Sequence, residues 1–163
     1  MPGNDYRTFL RSHLSGTEFH RGEIYDVEGN FVAPHEGLEF YTIGQRKGLP
    51  GGSPTPRYVV DLDPETNRVI VGSAEDLICE EFEIDRCNWL VREGDQNENL
   101  TVKIRYGHSG APATVSRFED GKARVVLHEP QRAVTPGQAA VFYDGDRVVG
   151  GGWICRHGAM IPA

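Results

Sequence analysis

Twenty glycines and ten prolines punctuate a chain of 163 residues, and this spacing limits the fold more than any other feature. A glycine inside a helix costs about 1 kcal/mol relative to alanine, and a proline about 3 kcal/mol. Long helices are therefore disfavoured, and short strands joined by turns are expected. The chain is long enough for one ordinary domain or two small ones. Hydrophobic residues make up 38% and charged residues 25%, a soluble, globular balance. No apolar run approaches membrane-spanning length, and MPGNDYRTFL does not read as a secretory signal.

Asn4 or Asp5 can cap a short helix reaching His13, with Tyr6, Phe9, Leu10 and Leu14 at helical spacing. Residues 22–27 and 31–33 flank Gly29-Asn30 and read as a β-hairpin. A short strand is expected over Phe40–Ile43, followed by an irregular basic loop around Gln45-Arg46-Lys47. Arg57–Leu62 and Arg68–Gly72 flank a turn at Asp63–Asn67. The pattern resets near Ser73–Ile78, which places a domain boundary there. The remainder reads as six strands: Cys79–Trp89, Leu100–Tyr106, Ala113–Arg117, Lys122–Leu127, Ala139–Tyr143 and Val148–Ile154. Strands at this spacing, with no helical pattern between them, suggest a small antiparallel barrel. The expected fold is mainly β: a small α+β domain over residues 1–76 with a short N-terminal helix, then a β-barrel over residues 77–163.

The formal net charge of −7 argues against a general nucleic-acid binder, but the charge is uneven. Phe40–Val60 holds Arg46, Lys47 and Arg57 and no acid; Thr101–Phe118 holds Lys103, Arg105 and Arg117 and no acid. Acids crowd Glu75–Glu98 between them. Chance clustering of solvated charges also gives such a distribution. The three cysteines, Cys79, Cys87 and Cys155, show no CxxC spacing, which fits a reducing cytoplasm better than a disulfide framework or a zinc site. Cys79 stands beside Glu80 and Glu81, which disfavour a thiolate, and the other two lie in strand patterns as small hydrophobes. The six histidines form no metal-binding spacing, and no Walker loop, dinucleotide fingerprint or nucleophile elbow is present.

Recognition by surface is left. Gln45, Arg46 and Lys47 offer an amide and two cations on a loop. Arg105 and Tyr106 offer a guanidinium beside an aromatic ring, and Gln138 follows a Pro136-Gly137 turn. Guanidinium groups suit phosphate oxygens, and Tyr and Arg stack on unpaired bases. RNA, an acidic protein partner and no partner at all are each compatible with this set.

Four segments occur in an order that resembles one family: YTIGQRKGL (Tyr41–Leu49), KIRY (Lys103–Tyr106), EPQRAVTPGQAAVFY (Glu129–Tyr143) and GGG (Gly150–Gly152). The family is that of the tRNA-specific 2-thiouridylases, also called tRNA (5-methylaminomethyl-2-thiouridylate)-methyltransferases. The resemblance runs over nearly the whole chain. It implies an enzyme that replaces the 2-oxygen of the wobble uridine with sulfur. In the family, a PP-loop domain adenylates that oxygen with ATP and magnesium, and a cysteine persulfide loaded by a sulfur-donor protein supplies sulfur, helped by a second cysteine; both cysteines are expected to lie outside this chain. A central domain and a C-terminal β-barrel follow. The family's persulfide cysteine precedes a stretch resembling Pro2–Arg7, so it would fall immediately before Met1. None of Cys79, Cys87 and Cys155 matches it. The expectation is a C-terminal piece with no catalytic residues and no cofactor of its own.

The resemblance implies tRNA contacts for Arg105, Tyr106 and Gln138, and also for Gln45, Arg46 and Lys47, whose loop could instead pack against the PP-loop domain. The family often carries a further base after Arg-Tyr, where this chain has Gly107. Two readings follow: a tRNA-docking fragment, or a structural module that braces the catalytic domain without RNA affinity of its own. Both place the protein in the cytoplasm and away from membranes.

Overall fold

The computed structural model describes residues 19–50, 52, 54–92, 94 and 99–155. The helix expected before His13 lies outside them. The chain separates into two compact units between Asp76 and Leu77.

The first unit is a four-stranded sheet: β1 (Gly22–Asp26), β2 (Phe31–His35), β3 (Tyr58–Asp63) and β4 (Arg68–Gly72), in the order β2-β1-β4-β3. β1 pairs antiparallel with β2 and parallel with β4. Asp26 builds the β1–β2 turn: its Oδ1 accepts from the backbone N–H groups of Glu28 and Asn30. Asp63 does the same between β3 and β4, accepting from Glu65 and Thr66. Ile24, Val59, Val69 and Val71 pack with Phe40 and Tyr41 into one core.

Phe40–Ile43 is not a strand. Leu38–Phe40 forms a single 3₁₀ turn, and Phe40 and Tyr41 are both buried. Two consecutive core residues break the alternation that a half-buried strand requires. The Gly44-Gln45 stretch that follows bonds to β3, Gly44 N to Val59 O at 2.7 Å and Val59 N to Gln45 O at 2.9 Å.

The second unit is a closed barrel of six strands: β5 (Ile78–Trp89), β6 (Asn99–Lys103), β7 (Ala111–Arg117), β8 (Ala123–Arg132), β9 (Ala139–Asp144) and β10 (Arg147–Ile154). The order is β10-β5-β8-β7-β6-β9, and every pairing is antiparallel. Closure leaves no edge strand to pair with other chains. Alternate residues point inward: Phe82 and Ile84, Leu100 and Val102, Ala111 and Ala113, Ala123 and Val125, Ala140 and Phe142. Four of these inward residues are alanines, and Phe82 and Phe142 are the largest fully buried side chains among the described residues. Each buried phenylalanine contributes about 1.5–3 kcal/mol through the area it removes from water. Trp89 stacks on Phe142 with ring centroids 5.5 Å apart.

Strand β6 ends at Lys103, three residues before the expected end at Tyr106. Gly107 and Gly110 both take positive φ, and His108 N donates to Arg105 O at 3.2 Å. Arg105 and Tyr106 therefore sit on a loop at the strand end.

Candidate functional site

The outward face of β6 follows from the same alternation. With Leu100, Val102 and Ile104 buried, Thr101, Lys103 and Arg105 face out. In β9, burial of Ala140 and Phe142 turns Ala139, Val141 and Tyr143 outward. Closure pairs Lys103 with Val141 and Thr101 with Tyr143, bringing the two outward rows together across about forty residues of sequence.

Between these rows lies a surface groove of about 800 Å³, lined by Lys103, Arg105, Tyr106, His108, Gln138 and Tyr143 among others. No acidic side chain lines it, although the chain as a whole carries −7. Lys103 Nζ stands 4.9 Å from the centroid of the Tyr143 ring, a cation–π contact that holds the ammonium on the groove wall. Arg105 Nη1 donates to Arg132 O at 3.1 Å, which orients the guanidinium and leaves its remaining donors. Tyr106 is fully exposed. His108 Nε2 lies 3.1 Å from Gln131 Oε1.

Gln138 is fixed from behind. Thr135–Gln138 closes with Gln138 N donating to Thr135 O at 3.2 Å, and Gly137 has φ +81°. Proline at the second position and a positive-φ glycine at the third are the signature of a type II turn. Two further backbone bonds tie this turn to β10: Gly137 N to Ile154 O at 2.9 Å and Ile154 N to Gln138 O at 2.8 Å. The exposed Gln138 amide makes no hydrogen bond among the described residues.

Of the six residues singled out from sequence, Arg105, Tyr106 and Gln138 line this one groove. Gln45, Arg46 and Lys47 belong to the first unit. There the Gln45 amide is spent on its own loop: Oε1 accepts from Thr42 N at 3.0 Å and Nε2 donates to Lys47 O at 3.0 Å. Arg46 and Lys47 are exposed, and Arg46 shares a crevice of about 290 Å³ with Arg57 and three prolines. Lys103, His108 and Tyr143 also line the main groove, although sequence reasoning did not single them out as contacts. Period-two alternation carried from Arg105 back along β6 would have found Lys103; Tyr143 needed the barrel's closure.

Burial raises the pKa of all three thiols, and the carboxylates near each raise it further. Cys79 Sγ donates to Glu81 O at 3.0 Å. These are environments that keep a thiol protonated. Among the described residues no group of three His, Cys, Asp or Glu is placed to hold a metal ion, and no helix is long and apolar enough to cross a membrane.

Residues 7–73 match the tRNA methyl transferase PRC-barrel domain, and residues 79–154 match the aminomethyltransferase beta-barrel domain. The chain is 46% identical over 156 residues to the tRNA-specific 2-thiouridylase MnmA of Paramagnetospirillum magneticum, covering 95% of this chain and 41% of that protein. It is 44% identical over 155 residues to that of Acidithiobacillus ferrooxidans, covering 94% and 44%. It is 46% identical over 155 residues to MnmA 1 of Caldanaerobacter subterraneus, covering 94% and 42%. The chain thus spans less than half the length of the curated relatives it matches.

Proposed function

Because the chain belongs to the tRNA-specific 2-thiouridylase family, whose C-terminal part it matches across both domains, we propose that it docks tRNA for 2-thiolation of the wobble uridine. One observation carries this reading. Arg105-Tyr106 and Gln138, from separate segments of the chain, line a single acid-free groove on a net-acidic chain. Each side chain suits a different part of an RNA strand. The Arg105 guanidinium and the Lys103 ammonium face phosphate oxygens, and the Tyr106 ring offers a stacking surface to an unpaired base. The Gln138 amide can pair with a base edge or a ribose hydroxyl.

The chemistry of sulfur transfer is assigned to the portion of the family enzyme outside this chain. That portion would use ATP and magnesium to adenylate the uridine oxygen, and a cysteine persulfide loaded by a sulfur-donor protein would put sulfur in its place, AMP leaving with the oxygen and a second cysteine thiol breaking the persulfide S–S bond to form a disulfide. The raised pKa of the three thiols here is consistent with placing the persulfide elsewhere. A cytoplasmic location fits this role and three cysteines that form no disulfide.

Gln45 supports a second role for the first unit. Its amide closes the Thr42–Lys47 loop and so shapes a platform on which Arg46 and Lys47 are displayed, either to tRNA or to the PP-loop domain. In this reading the first unit braces the catalytic domain and the barrel holds RNA. Titration of unmodified tRNA with the wild-type chain and the Arg105→Ala/Tyr106→Ala variant tests the docking role. Affinity lost in a variant with unchanged thermal stability supports it; equal affinity rejects it.

A further inference from the structure

A second groove of about 300 Å³ runs beside the first, over β5, β9 and β10, and Trp153 stands on the ridge lining both. Trp153 is 43% exposed, unusually open for an indole in a barrel strand. Its position comes from a break in the β10–β5 ladder: Gly151 faces Asn88, whereas Trp153 faces Asp85. Such bulges re-aim a side chain next to functional sites. On the β5 side of the break, Arg86 adopts φ +47°, a left-handed conformation that arginine rarely takes. That backbone sets the Arg86 guanidinium 5.3 Å from the centroid of the Trp153 ring. Asp85 Oδ1 accepts from Arg86 Nε at 3.1 Å and holds the plane there.

Gly150, Gly151 and Gly152 line this groove together with the aliphatic side chains of Leu90, Val141 and Val148. A Cβ at Gly150, Gly151 or Gly152 would come within 3 Å of Trp89, of Ala140 O and of Asp85 O respectively, so close packing within the barrel wall requires glycine at all three positions. No acid lines the groove. An aromatic ring, a guanidinium tied to it and a glycine-rich, apolar floor match the features that accept a flat, unpaired nucleobase.

Resting on the tRNA-docking reading, we infer that Trp153 and Arg86 form a second nucleobase-stacking platform, continuing the RNA path beyond Gln138 and Tyr106 across the β10–β5 bulge. The occupant is an unpaired nucleotide of the same tRNA. Continuity decides for RNA over a protein partner, because the ring that heads the second groove also walls the first, where Lys103 and Arg105 stand.

The test is tRNA binding at low salt by the wild-type chain and its Trp153→Phe, Trp153→Ala and Arg86→Gly variants, followed by tryptophan fluorescence and thermal unfolding. The wild type should show quenching on binding. Trp153→Phe should lose most of the quenching, because the second tryptophan, Trp89, stacks on Phe142, and should bind more weakly than wild type but more tightly than Trp153→Ala. Trp153→Ala should weaken binding about tenfold. Arg86→Gly should weaken binding while unfolding no earlier than wild type, since glycine relieves the positive φ. Four results overturn the platform. If Trp153→Ala binds as wild type while Arg105→Ala/Tyr106→Ala does not, the platform is wrong and the docking reading stands. If the wild type binds no tRNA, both fall. If Arg86→Gly lowers stability without lowering affinity, Arg86 is a packing residue. If the wild type self-associates without RNA and Trp153→Ala abolishes this, the face is an interface between protein copies.

Discussion

Replacing Gly137 by alanine isolates the conformational cost of the turn that holds Gln138. A Cβ at this position would meet no heavy atom within 4 Å, so no clash contributes. What remains is the φ of +81°, which costs an L-residue roughly 1–2 kcal/mol. Alanine also narrows the unfolded ensemble but cannot recover that benefit where φ is positive. The expected net destabilisation is therefore about 1–2 kcal/mol, which for a unit the size of the barrel lowers Tm by roughly 4–8 °C per kcal/mol. Gly110→Ala is the internal comparison. It has φ +101°, and its Cβ would lie 2.4 Å from Thr101 Cγ2, so strain and overlap add and the loss is larger. Thermal unfolding of both variants by circular dichroism reads the two costs. The backbone bonds from Gly137 and Gln138 to Ile154 are untouched by Gly137→Ala, so Gln138 stays in place and tRNA affinity holds. A Gly137→Ala variant with wild-type Tm and lost affinity would show that the turn flips to another type, and would refute this reasoning. Equal losses for Gly110→Ala and Gly137→Ala would refute the packing part of it.

His35, only 3% exposed, gives a pH-dependent effect. Gly37 N donates to its Nδ1 and its Nε2 faces Asn67 O at 3.1 Å, so the ring is neutral with the proton on Nε2, and burial lowers its pKa below the ordinary 6.5. Its stabilising contribution is complete above that value and is lost as pH falls toward the lowered folded-state pKa, because the unfolded chain takes up the proton first; denaturant melts from pH 7.5 to 5 should show this decline, and His35→Gln should flatten it. The three thiols should alkylate more slowly than free cysteine at pH 8, and a burst of fast labelling would contradict the burial that raises their pKa. Phe142→Ala, which removes the ring beneath Trp89, should cost about 3–5 kcal/mol by chemical denaturation, and a cost under 1 kcal/mol would mean that the barrel lumen is loosely packed.

Much of the strand pattern was legible because turn residues bracket it and burial alternates along it. Asp26 and Asp63 sit where their carboxylates close the turns, and the six barrel strands fall within a few residues of the spans read from sequence, apart from the C-terminal end of β8. Phe40–Ile43 misled because two adjacent aromatic residues both enter the core, which a strand template cannot represent. The end of β6 was missed because Gly107 and Gly110 act through the loop that follows, not within the strand. For the candidate site, Arg105, Tyr106 and Gln138 were visible as residue types near turns. Their meeting in one groove was not, because it depends on β6 pairing with β9, a long-range contact that no local pattern encodes. The inward use of the Gln45 amide was likewise hidden, since an amide in a glycine-flanked loop reads as exposed until its hydrogen bonds are seen.

The most direct test of the account is the salt dependence of tRNA binding by this chain and by Arg105→Ala. Binding should weaken linearly on a log–log scale as salt rises, with the slope smaller by roughly one for Arg105→Ala if that guanidinium neutralises one phosphate. Absent binding at low salt, or a slope that Arg105→Ala leaves unchanged, would contradict the assignment of the acid-free groove to RNA.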